Sequence, residues 1–504
     1  MRRTYLFLFL LGLAVPALIA RYQPAPGYLD SDYYFAGGVQ LATGEGFSEP
    51  YLWNYLDGVQ TLPHPSHSYW MPLASIIAAL GMWLTGQTTY AAGRLFFLLI
   101  AACVPPLTAA LAYQFSRRRD LALTSGILAV FCVFNAPFVG VTDNFGIFML
   151  LGVLYFLVLT RLMKNPQQNI NWLALGVLAA LFNLSRSDGL LWLGISLLLA
   201  VALQPSTFKP SWLLIPLAGF LLVLSPWYLR NWNLYGTLMA PGGSRVLWLT
   251  EYDQTFTYPP NLLTLQSFLA QGWRVIFAQR AAAFGINLQS GFAAHGGIVL
   301  FPFIIAGILY TWKDQRVKTA ALAWLILLFV MSFLFPFAGA RGAFFHAGAA
   351  LQPMWWVLAP LGLESILVSL RKRGIGNDNN RLIFRAMLVM VTMMLTVYVV
   401  NFRLFALGWG EGEDAYPAVE TFLVEHGAQP DDIVVIGNPP GYWLETRRAA
   451  VAVPYGGASA IRVVAEQFHA KYLILEPRNR PPQKYQQFKF LGETHDAHIY
   501  QLQP

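Results

Sequence analysis

Few residues in this chain can do acid, base or ligand chemistry, and most of those stand at the edges of long apolar runs. Asp30 and Asp32 lie one residue apart in Tyr28-Leu29-Asp30-Ser31-Asp32-Tyr33-Tyr34, just after the first apolar run ends. On an extended backbone both carboxylates would share a face and address one ligand or one divalent cation, Mg or Mn; no cofactor beyond that is expected. On a helix they diverge, and Asp30 faces the same way as Tyr34 instead. A plain helix-capping role is the structural alternative. His64-Pro65-Ser66-His67 follows. Two histidines without a third ligand are not expected to form a metal site, so they position either a substrate or the loop itself. Asp143 stands with Asn144 between two apolar runs, as a third acid or as a turn residue. Arg186, Asp188, Arg230, Arg341 and His346 all fall at apolar-segment ends. Arginines there hold phosphate oxygens in pairs, or extend toward lipid headgroups.

The solvent for this chemistry is set by composition. The 504 residues are 56% hydrophobic and only 12% charged, and the mean hydropathy is +0.49. Those values describe a polytopic membrane protein. The net charge of +8 is spread over short basic clusters between apolar runs, so no nucleic-acid partner is expected. Cys103 and Cys132 both lie in apolar runs and act as small hydrophobes.

Arg2 and Arg3 precede an apolar run from Tyr5 to Ala20, which reads as an uncleaved signal anchor. Further runs of spanning length cover residues 91–115, 121–141, 144–162, 171–186, 188–204, 211–229, 295–312, 318–336, 347–369 and 382–404, for about eleven in all. The run from Pro72 to Leu84 is short and opens with proline. If it lies along the interface, Arg117-Arg118-Arg119, Arg161 with Lys164, Lys313 to Lys318, and Arg371-Lys372-Arg373 all fall on the cytoplasmic side with the N-terminus. The positive-inside rule therefore favours a non-spanning helix there. Residues 21–90, the stretch from Arg230 to His295 and everything past Asn401 then lie outside, in what is expected to be a bacterial plasma membrane.

Residues 1–408 thus read as a helical transmembrane domain with a polar outer loop at 21–90, and 409–504 as a small extracytoplasmic domain. In the latter, Asp414 to His426 and Ala458 to His469 have helical periodicity. Ile433 to Ile436, Ala449 to Val453, Lys471 to Leu475, and an edge pair at Phe488 to Leu491 and His498 to Leu502 read as strands. The expected architecture is mainly α, with a compact α/β layer at the C-terminus. Asn438-Pro439-Pro440-Gly441 reads as a turn, without dinucleotide-binding glycine spacing.

The order of these parts resembles the integral-membrane GT-C glycosyltransferases, and within them the dolichyl-phosphate-mannose protein mannosyltransferase and aminoarabinose transferase group. The parts are the acids after the first helix, the Gly44-Glu45-Gly46 turn, His64-Pro65 leading into an apolar helix, Arg94-Leu95, the lone Asp143, and Arg186-Ser187-Asp188. The resemblance covers residues 1–240 well, the later helices loosely and the C-terminal domain hardly at all. It implies that Asp30 matches the catalytic carboxylate of the first outer loop, Tyr34 the aromatic residue four further on, and Asp143 the second acid. Ser66 replaces the second proline of the family's His-Pro-Pro-Leu element, and Asp30-Ser31-Asp32 stands where members often carry Asp-Glu. The implied activity is inverting transfer of a sugar from a polyprenyl-phosphate carrier, with Asp30 or Asp32 as base, Arg230 or Arg341 at the phosphate, and an acceptor not specified. A transporter and a non-catalytic protein of the same fold are the competing readings.

Overall fold

The computed structural model describes residues 2–203, 211–375, 380–476, 485 and 487–502. Residue 204, the last of the expected span at 188–204, lies outside them. The chain is mainly α-helical, with a small C-terminal sheet region. Seven helices among the described residues are long and apolar enough to cross a membrane: Arg2–Ala20, Tyr90–Ser116, Phe145–Lys164, Trp212–Tyr235, Gln315–Leu334, Pro336–Lys372 and Arg381–Ala406. Shorter apolar helices cover Asn169–Ser185, Ser187–Ala202 and Phe301–Tyr310, where further spans are expected. Leu73–Thr85 has 13 residues, fewer than the roughly 20 a bilayer core needs.

Three boundaries differ from expectation for local reasons. The run at 121–141 is α-helical only over Arg119–Val130, with one 3-10 turn at Val133–Asn135, because Asn135, Pro137 and Gly140 follow and the backbone turns instead. Ser211–Tyr235 runs on to Gly236, whose φ of +68° ends it, so Arg230 lies within a helix and not at its end. Trp273–Ser290 is a helix where an outer loop is expected. Arg274, Gln279, Arg280, Asn287 and Gln289 dilute its hydropathy below that of a spanning window.

The described chain groups into two compact units, each built from separate stretches. The first takes in Met1–Pro24, Arg94–Trp227 and Gln279–Leu407 and is all helical. Its most enclosed span is Phe145–Lys164, 72% buried over its apolar window against 22% for Arg2–Ala20. At Gly152 that helix touches the turn at Ala349–Leu351 so closely that a Cβ would lie 1.8 Å from the Ala350 carbonyl oxygen.

The second unit comprises Ala25–Gly93, Tyr228–Ala278 and Gly408–Pro504. Strands β1 (Ser48–Glu49) and β3 (His64–Pro65) pair antiparallel. The larger sheet contains β2 (Tyr51–Leu52), β4 (Ile433–Ile436), β5 (Ala450–Ala452), β6 (Ala470–Leu475), β7 (Lys489–Thr494) and β8 (Ala497–Gln501), in the order β2-β5-β4-β6-β8-β7. The first four are parallel, and β8 and β7 close one edge antiparallel. Buried on both faces, the parallel strands read as short unbroken apolar runs. Ile461, Val464 and Phe468 of the Ala458–Phe468 helix pack on one face with Tyr55 and Val59. Val419, Leu423 and Tyr442 cover the other. Pro439–Thr446 is a helix, not a turn: Asn438 caps it through Gly441 N, and a proline at its first position gives up only a donor that has no intrahelical partner.

Gly152→Leu should therefore destabilise the first unit by about 1–3 kcal/mol, seen as a lower apparent melting temperature in detergent. Gly194→Ala, with open space at its Cβ, should not.

Candidate active site

The Leu29–Ala42 helix starts one residue before Asp30 and so decides how the two acids are presented. Two residues of α-helix turn the chain by about 200°, so Asp30 and Asp32 leave on different sides. Both lie in the first turn, where the helix dipole favours negative charge. Asp30 is half-buried. Tyr34, one turn on, is buried with its ring 5.9 Å from those of Tyr33 and Trp70. Asp32 is only 1% exposed, and its Oδ2 accepts a 2.8 Å hydrogen bond from Asn438 Nδ2, just past β4. Its Oδ1 has no hydrogen-bond donor, and the Glu413 carboxyl lies close by. Burial first, then the charges of Glu445 and Glu476, push Asp32 up to about 7 against the lowering bonds from Asn438 and Glu413. Burial and the Asp32 charge likewise push Glu413 upward, so both carboxyls hold a proton more tightly than free acids do. An ion chelated jointly by Asp30 and Asp32 does not fit this arrangement, because one acid is turned into the C-terminal sheet's end.

The two histidines are bonded within the loop and the helix that follows it. His64 Nε2 stands 3.0 Å from Asp57 Oδ2 and its Nδ1 3.5 Å from Glu49 Oε1. Burial lowers its pKa, but the bonds to Asp57 and Glu49 outweigh that and raise it to about 9. His67, fully buried, has Ser66 Oγ at 2.8 Å from Nδ1 and Ser75 Oγ at 3.0 Å from Nε2. Burial and the Arg230 charge lower it to about 3, so the ring is neutral. Tyr33 ties the group together, donating to Glu49 Oε2 at 2.8 Å and accepting from His67 N at 2.7 Å. Arg230 donates to the carbonyls of Ser66 and Phe47 at 2.8 and 3.3 Å, holding the backbone of the same loop.

In the first unit, residues from three separate links converge. Asp143 is 1% exposed; its Oδ1 accepts from Asn144 N at 2.6 Å, and its Oδ2 faces His346 Nε2 at 3.4 Å. The other ring nitrogen of His346, Nδ1, is 3.2 Å from Arg186 Nη1. Arg186 in turn grips Asp188, with Nη2 3.0 Å from Oδ2 and Nε near both oxygens. The result is a continuous series of carboxylate, imidazole, guanidinium and carboxylate. Arg341 is exposed on the Gly339–Ala343 turn, and Arg94 is buried, with Nη1 2.7 Å from the carbonyl of Gln23.

No protein-family model matches the sequence, and no curated protein matches it. Solved structures do. The oligosaccharyltransferase of Archaeoglobus fulgidus, in complex with Zn and sulfate, superposes with a TM-score of 0.54 at 13% identity, over 94% of this chain and 68% of its own. ArnT from Cupriavidus metallidurans in the apo state gives 0.53 at 13% identity, over 98% and 97%. The same ArnT bound to undecaprenyl phosphate gives 0.52 at 12%, over 98% and 97%. The chain has the GT-C fold.

Within that GT-C frame, four residues important to the geometry carry no strong sequence signal. Glu49 and Asp57 hold His64, while Glu413 and Asn438 hold Asp32. The last two lie some 400 residues away in the chain, and no local pattern encodes that distance.

The raised value of Asp32 gives stability a sign. A carboxyl whose folded value is raised binds its proton more tightly folded than unfolded, so its contribution is complete below the ordinary 3.8 and lost as pH rises through about 7. The apparent melting temperature should fall over that interval, and Asp32→Asn, which keeps an acceptor for Asn438, should flatten the fall.

Proposed function

We propose that this chain is a membrane glycosyltransferase that moves a sugar from a polyprenyl-phosphate donor to an acceptor on the extracytoplasmic face, with inversion. The observation that carries the reading is the GT-C fold along nearly the whole chain, matching an enzyme bound to undecaprenyl phosphate over 98% of this sequence. Asp30, half-buried on the first turn of its helix, supports it as the one acid of the first pair not turned into the sheet.

In the proposed step, an acceptor hydroxyl attacks the anomeric carbon while Asp30 takes its proton. The bond from that carbon to the carrier phosphate breaks, and the electron pair leaves with the lipid phosphate. General-base help of this kind is worth about 10²- to 10⁴-fold. A phosphate leaving group needs charge stabilisation more than protonation, a task for the exposed Arg341. A divalent cation of the Mg or Mn type, when bound, would add positive charge at the phosphate. Among the residues grouped closely enough to hold such a cation, Asp143 and His346 lie in the first unit, and Asp143 would hold it. Asp32, in this reading, braces the loop. The N-terminus is cytoplasmic and the C-terminal domain extracytoplasmic.

Asp30→Asn should lower transfer of labelled sugar from a polyprenyl-phosphate donor by about 10²- to 10⁴-fold, while Asp32→Asn should lose far less at pH 6. Undiminished transfer in Asp30→Asn removes the base, and no transfer by the wild-type chain from any such donor removes the reading.

A further inference from the structure

An arginine guanidinium carries donors only and never accepts a hydrogen bond. Arg186 Nη1 lies 3.2 Å from His346 Nδ1, so Nδ1 must offer its lone pair. A ring with Nδ1 as acceptor is neutral and carries its hydrogen on Nε2, the atom facing Asp143 Oδ2 at 3.4 Å. A metal ligand needs the opposite: Nε2 must bring a lone pair, and the hydrogen must sit on Nδ1. While Arg186 holds Nδ1, His346 cannot ligate through Nε2. Arg186 is itself held by Asp188, at 3.0 Å between Nη2 and Oδ2 and through Nε. Both side chains are mostly buried, which keeps the guanidinium from turning away freely. Phe145 packs edge-on against the imidazole, with ring centroids 4.1 Å apart, and limits its rotation.

We propose that Arg186, braced by Asp188, fixes the tautomer of His346, so that the imidazole meets Asp143 as a hydrogen-bond donor and not as a partner in binding a cation. Arg186 is then a positioning residue. Asp143 accepts from Asn144 N on Oδ1 and has His346 Nε2 3.4 Å from Oδ2, and these two contacts hold its carboxylate in one orientation. The consequence for transfer rests on the glycosyltransferase reading, but the tautomer does not.

The test reads the ring directly. Full-length protein in detergent, labelled with ¹⁵N in its histidine rings, is compared with the same preparation of His346→Gln to assign the His346 signals. A protonated Nε2 and an unprotonated Nδ1 are expected in the wild type and in Arg186→Lys, which keeps a cationic donor. In Arg186→Ala the preference should be lost. A protonated Nδ1 in the wild type overturns the proposal, as does an unchanged tautomer in Arg186→Ala. With Mn²⁺ added, a directly bound imidazole nitrogen that disappears in His346→Gln would also overturn it. Sugar transfer is measured alongside: loss of the enzyme reading with the expected tautomer intact separates the two failures.

Discussion

An ionisable side chain placed where water is scarce must find a partner, and this requirement shapes the helix ends of this protein. A lone charge in such surroundings costs several kcal/mol, and even an unmatched polar group costs about 1–3. Glu364, its side chain 12% exposed, is met by Arg118 at 2.8 Å and by Arg381 at 3.3 Å. These contacts join the basic turn at Arg117–Arg119 to the Gln352–Lys372 and Asn380–Asn401 helices. Arg316 donates to Asp314 and, at 3.2 Å, to Thr160 near the end of Phe145–Lys164. Apolar packing between spans has little directional preference. These polar ties fix which ends meet.

The polar groups of each unit obey the same requirement in their own style. In the first unit the charges are matched in series from Asp143 through His346 and Arg186 to Asp188, and each orients the next. In the second, the loop after the first span is stiffened from within: His64 between Glu49 and Asp57, His67 between two serines, Arg230 on two carbonyls. Trp53 stacked on Trp70 at 4.0 Å between centroids adds aromatic packing to the same loop. A segment so heavily cross-braced can present Asp30 in one place without the cost of ordering it at each encounter.

The sequence was most informative where periodicity and charge speak locally. The long spans, the short helix after Pro72, and the strands and flanking helices of the C-terminal domain follow from apolar run length and alternation. Asp143, Arg186, Asp188 and His346 stood out as polar residues at apolar edges, and the structure brings them together. Helix Trp273–Ser290 escaped because its polar residues lower a windowed average without breaking helical geometry. The Pro439–Thr446 helix escaped because proline reads as a breaker unless its position in the first turn is known. Asp32 could not be separated from Asp30 by spacing, since the answer depended on where one helix begins and on Asn438, far along the chain.

Strand β2 lies at residues 51–52, yet its neighbour β5 begins at residue 450. During synthesis, at about 5–20 residues per second, the early strand and Asp32 wait tens of seconds before the groups they pair with exist. The larger sheet thus closes only after residues 433–501 are made, and its closure seals a loop made some 400 residues earlier. A chain cut short before residue 438 leaves the early segment without the partners of β2 and with the Asp32 carboxylate lacking its amide.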